Sequence, residues 1–198
     1  MEAFNRTLFL WLNAPAQPDA FVLALALLAA RWLAWLLPLL VVLAWLRGDA
    51  VLRRSLLVAL AAMALGLLAN LAIRWLWPHP RPFMIGLGHQ WMPHDASASF
   101  PSDHLTLWWA FAFGLALQTR TRGLGLALAL LGLPIAWGRI YVGVHFPLDM
   151  LGSAGVALLC AGVARRAARW YLAPAYRLAL AGYGRLFGRL IARGRLRR

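Results

Sequence analysis

The sequence predicts an all-α fold, a polytopic transmembrane bundle of five or six helices with short extracytoplasmic loops. Composition and the spacing of apolar runs predict it. Of 198 residues, 63% are hydrophobic and only 13% charged, and the mean hydropathy is +0.68. A chain this short cannot hide so much apolar surface behind a polar exterior, which excludes a water-soluble domain. Abundant aliphatic and aromatic side chains, 11 Trp among them, exclude disorder.

Crossing a bilayer takes about 20 helical residues. Apolar runs that reach or approach this length lie at 20–46, 55–77, 104–118, 123–137 and 149–164. The first contains Arg31 and Pro38 and reads either as one kinked span or as a broken pair, which sets the count at five or six. Residues 4–13 ahead of it suit an interfacial helix. Residues 1–6 carry one acid and one base with no small-residue cleavage site after a short apolar core, so they do not read as a cleavable signal. Cys160 lies inside an apolar run and says nothing of the redox compartment.

The net charge of +14 comes from 20 arginines, with no lysine, against 6 acids. These arginines fall between apolar runs, and ten lie within 165–198, a placement that fits anionic headgroups and excludes a nucleic-acid partner. Arg47, Arg53 and Arg54, then Arg120 and Arg122, then the basic tail mark the cytoplasmic side. Residues 78–103 and 138–148 therefore emerge together on the opposite face. The division expected is a membrane-embedded domain over 1–170 and a cytoplasmic tail over 171–198, read either as an amphipathic helix on the inner leaflet or as a flexible basic segment.

All five histidines lie in or beside the two outer loops. Charges held at membrane depth are costly and usually mark a functional site. Three segments concentrate them. Arg74 and Arg81 are seven residues apart, and their planar, permanently charged forks suit tetrahedral oxyanions; read alone, the segment suits better a snorkelling Arg74 at a helix end and a solvated Arg81 in the loop. Pro101-Ser102-Asp103-His104 opens an apolar run, with Ser102 at the N-cap position and amide groups free to bind an anion. His145 and Asp149, four apart with Pro147 in the first helical turn, can bring a carboxylate to one ring nitrogen and leave the other as an electron-pair donor.

In order and spacing, Arg74-x6-Arg81-Pro82, Pro101-Ser102-Asp103-His104 and Gly138-Arg139-x5-His145-x3-Asp149 resemble the three motifs of the type 2 phosphatidic acid phosphatase superfamily: KxxxxxxRP, PSGH and SRxxxxxHxxxD. The PSDH form of the second motif and HFPLD in the third are similar to its bacterial undecaprenyl pyrophosphate phosphatase branch. Three departures stand out: Arg74 for Lys, Asp103 for Gly and Gly138 for Ser.

The resemblance implies a metal- and cofactor-independent phosphatase of the bacterial inner membrane, with its active site on the periplasmic or extracellular face. It implies His145 as nucleophile, Asp149 as its orienting carboxylate and His104 as general acid and base. Arg74, Arg81, Ser102, Asp103 and Arg139 would grip the phosphate. His79, His89 and His94 fall outside that catalytic set and are expected at the headgroup entrance or the interface. The implied partners are a phosphorylated lipid, the bilayer itself, and anionic lipids at the tail. An undecaprenyl pyrophosphate is the first expectation for the substrate, and phosphatidylglycerophosphate, phosphatidic acid or a lipid A phosphate the next. Phosphate transfer between lipids is a further alternative, and a non-enzymatic anion or lipid transporter a remote one.

Overall fold

A computed structural model describes residues 1–193, and all regular structure in them is helical. The helices are α1 (Glu2–Leu12), α2 (Ala20–Leu27), α3 (Leu36–Arg47), α4 (Ala50–Leu76), α5 (Asp103–Ala116), α6 (Arg122–Tyr141) and α7 (Pro147–Ala192). The last five residues, part of the expected basic tail, lie outside the described residues.

Among the described residues, four helical stretches are long and apolar enough to cross a membrane: Ala20–Arg47, Ala50–Leu76, Thr119–Tyr141 and Pro147–Arg189. This corrects the expected count of five or six. The first apolar run is one broken span and not a hairpin, and α5, with 14 residues, rises only about 21 Å at 1.5 Å per residue. Even so, α5 runs between the two ends of the bundle. Asp103 at its start pairs with Arg74 near the end of α4, and Gln118 just beyond it donates to the Ser55 carbonyl near the start of α4.

The break in the first span has a local cause. Pro38 has no N–H to return to the Ala34 carbonyl, and the chain passes through a π turn at Leu28–Trp32 and a 3-10 turn at Leu33–Trp35 before α3 resumes. Such turns free carbonyls from the regular ladder, and the Ala30 carbonyl accepts a hydrogen bond from Arg139 Nη1 at 3.0 Å.

Helices α4, α5, α6 and α7 pack around the buried side chains of Trp108, Phe111, Leu115 and Ile135. Lipid tails supply no hydrophobic drive between helices, so close packing by small residues takes over. A Cβ on Gly114 would sit 2.7 Å from the Ala59 Cα, a measure of how near α5 and α4 approach. The indoles of Trp108 and Trp109 donate to the Leu128 and Ala129 carbonyls across the α5–α6 contact. Large apolar side chains such as Leu68, Leu71, Leu130, Leu133 and Leu159 face outward, as a lipid solvent allows.

Helix α1 lies at the end of the bundle where α6 finishes and α7 begins. Its Asn5 accepts from the Leu148 amide at 3.1 Å, and Asn13 donates to the carbonyls of His89 and Tyr141 at 2.9 and 3.0 Å. At the other end, Arg53 is buried with its guanidinium 4.7 Å from the Tyr183 ring and 5.7 Å from that of Trp45. Helix α7 passes residue 170 without interruption, so 171–192 are helical and pack on the α3–α4 turn.

Candidate active site

Helix α4 stops at Leu76 because Pro78 and Pro80 follow, and the chain runs extended to Arg81. Arg74 and Arg81 therefore do not share a helix face. Buried Arg81 turns inward, donating to the carbonyls of Val144 at 2.8 Å, Ser97 at 3.0 Å and Ala98 at 3.1 Å. Its Nη1 also stands 3.0 Å from His145 Nε2. Burial lowers the guanidinium to about 10, against the pull of Asp149, so it stays charged at neutral pH.

His145 sits in the five-residue turn between α6 and α7, two residues after Gly143, which adopts φ +82. Its ring is buried. Nδ1 lies 3.1 Å from Asp149 Oδ2, which also accepts from the Phe146 amide at 2.9 Å and from the Ser99 hydroxyl. A carboxylate on Nδ1 selects the tautomer protonated there, and it leaves the Nε2 lone pair facing Arg81. Burial, then Arg139 and Arg81, push the imidazole well below its ordinary pKa. It is neutral at neutral pH, the form that can act as a nucleophile.

Arg139, buried near the end of α6, reaches the Ala30 carbonyl with one Nη and stands 3.3 Å from His94 Nε2 with the other. Ser102 is the N-cap of α5, but its side chain makes no capping bond. Its backbone amide donates to Ser153 Oγ at 2.9 Å. Among the described residues, the buried Ser102 Oγ and Arg139 Nε have no hydrogen-bond partner. Buried polar groups are nearly always paired, so two orphans on two of the motif segments mark a place built for a polar ligand.

Asp103 is turned aside to Arg74, at 2.5 Å, and to Asn70 Nδ2, at 2.8 Å. Its carboxylate is thus occupied. His104 is exposed and, with Arg139 and His94, lines a cavity of about 290 Å³.

The structure thus brings His145, Asp149, Arg81, Arg139, Ser102 and His104 to one end of the bundle, with Arg74 beside them through Asp103. Three contributing residues escaped the sequence reading. Ser99 and Ser153 each support a motif residue through a hydroxyl, and Asn70 holds Asp103. His94, expected at the headgroup entrance or the interface, lines the cavity with His104 and Arg139, its ring centroid 6.2 Å from that of His145. The nearest sequence signal was the run of small hydroxyl residues ahead of Pro101. Of the other histidines, His79 packs against Phe146 and Trp77, and His89 is exposed.

The model of the PAP2 superfamily matches residues 55–188, a stretch that includes all three segments. The chain belongs to the PAP2 superfamily. Among relatives, it is 38% identical over 152 residues to the putative undecaprenyl-diphosphatase YbjG of Escherichia coli (strain K12), covering 77% of this chain and 76% of that one. It is 40% identical over 115 residues to the undecaprenyl-diphosphatase BcrC of Bacillus subtilis (strain 168), covering 58% of each. Among solved structures, it resembles Aquifex aeolicus LpxE with a TM-score of 0.63 at 25% identity, over 81% of this chain and 93% of that one. A transmembrane PAP2 type phosphatidylglycerolphosphate phosphatase from Bacillus subtilis shares the fold, with a TM-score of 0.59 at 19% identity over 83% and 84% of the two chains. This PAP2 protein is a multi-pass membrane protein.

Proposed function

We propose that this PAP2 protein hydrolyses a lipid diphosphate, undecaprenyl diphosphate to undecaprenyl phosphate, through a phosphohistidine. The observation that carries the reading is the buried His145 ring, with Nδ1 3.1 Å from Asp149 Oδ2 and Nε2 3.0 Å from Arg81 Nη1, a contact that a bound phosphoryl group would take over. The names of the two relatives favour the diphosphate over other lipid phosphates.

In the first step Nε2 attacks the terminal phosphorus and the bond to the bridging oxygen breaks. The electron pair leaves on that oxygen, and His104 protonates it. The negative charge of bound substrate favours the protonated His104 that this requires. The new imidazolium is held by Asp149. In the second step His104 takes a proton from water, which attacks the phosphohistidine, and the N–P bond breaks to release inorganic phosphate and neutral His145. Arg81, Arg139, Ser102 and the Asp103 amide hold the non-bridging oxygens; Arg74, paired with Asp103, adds its positive charge at their edge. Among the described residues no cluster of three His, Cys, Asp or Glu side chains could hold a metal ion.

The positive-inside rule places this end of the bundle on the periplasmic or extracellular face of a bacterial inner membrane and the end of α7 in the cytoplasm. There Arg54, Arg169 and Arg177 surround a cavity of about 440 Å³, which supports contact with anionic lipid headgroups. The test is phosphate release in detergent, with chelator present, across lipid mono- and diphosphates. Release from undecaprenyl diphosphate is expected. No release from any lipid phosphate, or transfer of the phosphate to an acceptor lipid, would overturn the proposal.

A further inference from the structure

Arg31 has no part in the chemistry above. It stands in the break of an otherwise apolar span, where a guanidinium is costly. It is exposed, stacks 5.5 Å from the Trp32 ring centroid, and forms no ion pair among the described residues. The cavity it borders, about 290 Å³, is also lined by Trp35, His94, His104 and Arg139, and by no carboxylate among the described residues. Of the acids near it, Asp103 is paired with Arg74 and Asn70, Asp149 is bound to His145, and Asp95 acts on His94 from outside the lining. Arg139 adds the unpartnered, buried Nε. Burial, then Arg81, hold His94 below its ordinary pKa, so it offers a neutral imidazole. A concave surface lined by guanidinium and imidazole groups and by no carboxylate among the described residues is complementary to a phosphoryl group.

We propose that this cavity is a second phosphoryl subsite, which holds the lipid-side phosphate of a diphosphate and uses Arg31 to distinguish it from a monophosphate. The proposal rests on the phosphatase reading and names the substrate class more closely. With the terminal phosphoryl against His145, the bridging oxygen falls toward His104, and the remaining phosphate enters the cavity that His104 borders. The prenyl chain then leaves past Trp35, which is 68% exposed. When the P–O bond breaks, the electron pair and the His104 proton go to the bridging oxygen, and the lipid monophosphate so formed stays in the grip of Arg31. A lipid monoester places its only phosphoryl group at His145 and leaves the subsite empty.

The test compares purified wild type with Arg31→Ala and Arg31→Lys on a prenyl diphosphate and the prenyl monophosphate of the same chain length. One charge-assisted contact predicts that Arg31→Ala lowers the diphosphate-to-monophosphate ratio of kcat/KM at least about tenfold. The change should appear mainly in KM for the diphosphate, and Arg31→Lys should recover part of the ratio. A ratio that stays within about twofold of wild type in an active, folded Ala variant overturns the subsite and leaves the phosphatase reading standing. Wild type that releases phosphate from neither lipid overturns the phosphatase reading itself.

Discussion

Asp149→Asn isolates what the carboxylate charge does. Among the described residues every hydrogen bond to this group, from His145 Nδ1, the Phe146 amide and the Ser99 hydroxyl, falls on Oδ2. An Asn side chain with its oxygen there keeps all three, and with them the ring tautomer and orientation. Only the charge opposite the imidazolium of the phosphohistidine is lost. At the 3.1 Å separation of Nδ1 and Oδ2, with an effective dielectric constant of about 20, that charge is worth about 5 kcal/mol. The rate of phosphohistidine formation should fall about 10³- to 10⁴-fold, with KM and melting temperature near wild type. Rapid-quench single-turnover kinetics with labelled lipid diphosphate read the first step directly. A correctly folded Asn variant within tenfold of wild type would refute the charge argument, because geometry alone would then explain the role of Asp149.

His145→Ala and His104→Ala should each abolish turnover while the protein elutes and melts as wild type does, and EDTA should leave wild-type activity unchanged; strong chelator sensitivity would contradict the metal-free steps. The pH dependence of stability has a definite sign. His145 and His94 are both held below their ordinary value of 6.5 in the folded state, so below that pH the unfolded chain binds more protons. Melting temperature in detergent should be insensitive to these groups above about pH 6.5 and fall as the pH drops below it; a flat or rising profile from pH 7 to 5 would contradict their burial as neutral rings. Gly138→Ser, which restores the family residue, should destabilise: the new Cβ would meet the Ala26 carbonyl at 2.7 Å and the Ala30 amide at 3.1 Å. Overpacking of this kind costs about 1–3 kcal/mol, to be read as a lower melting temperature together with lost activity as Arg139 is displaced.

The Gly138 departure also shows where sequence reading ends. That three motif segments carry the chemistry was legible, because residue types and spacing within each segment are local. Why Gly replaces Ser was not, since the reason is the α2 backbone, more than a hundred residues away in the chain. Asp103 looked like an awkward charge beside an anion site until Arg74 and Asn70, on another helix, were seen to absorb it. Ser99 and His94 read as loop residues because their partners, Asp149 and Arg139, lie on helices distant in sequence. Hydropathy found the apolar runs but not where their helices end. Arginines at 165, 166 and 169 look like a membrane boundary, yet charge does not interrupt a helix, and α7 continues to Ala192.

Helix α1 carries a consequence for how the bilayer acts on the enzyme. Two asparagines tether it to the chain at His89, Tyr141 and Leu148, while Phe4, Leu10 and Trp11 face outward. One short amphipathic rod therefore couples headgroup packing and curvature to both loops that supply the reacting groups. Turnover should respond to the lipid around the protein as well as to the lipid it consumes.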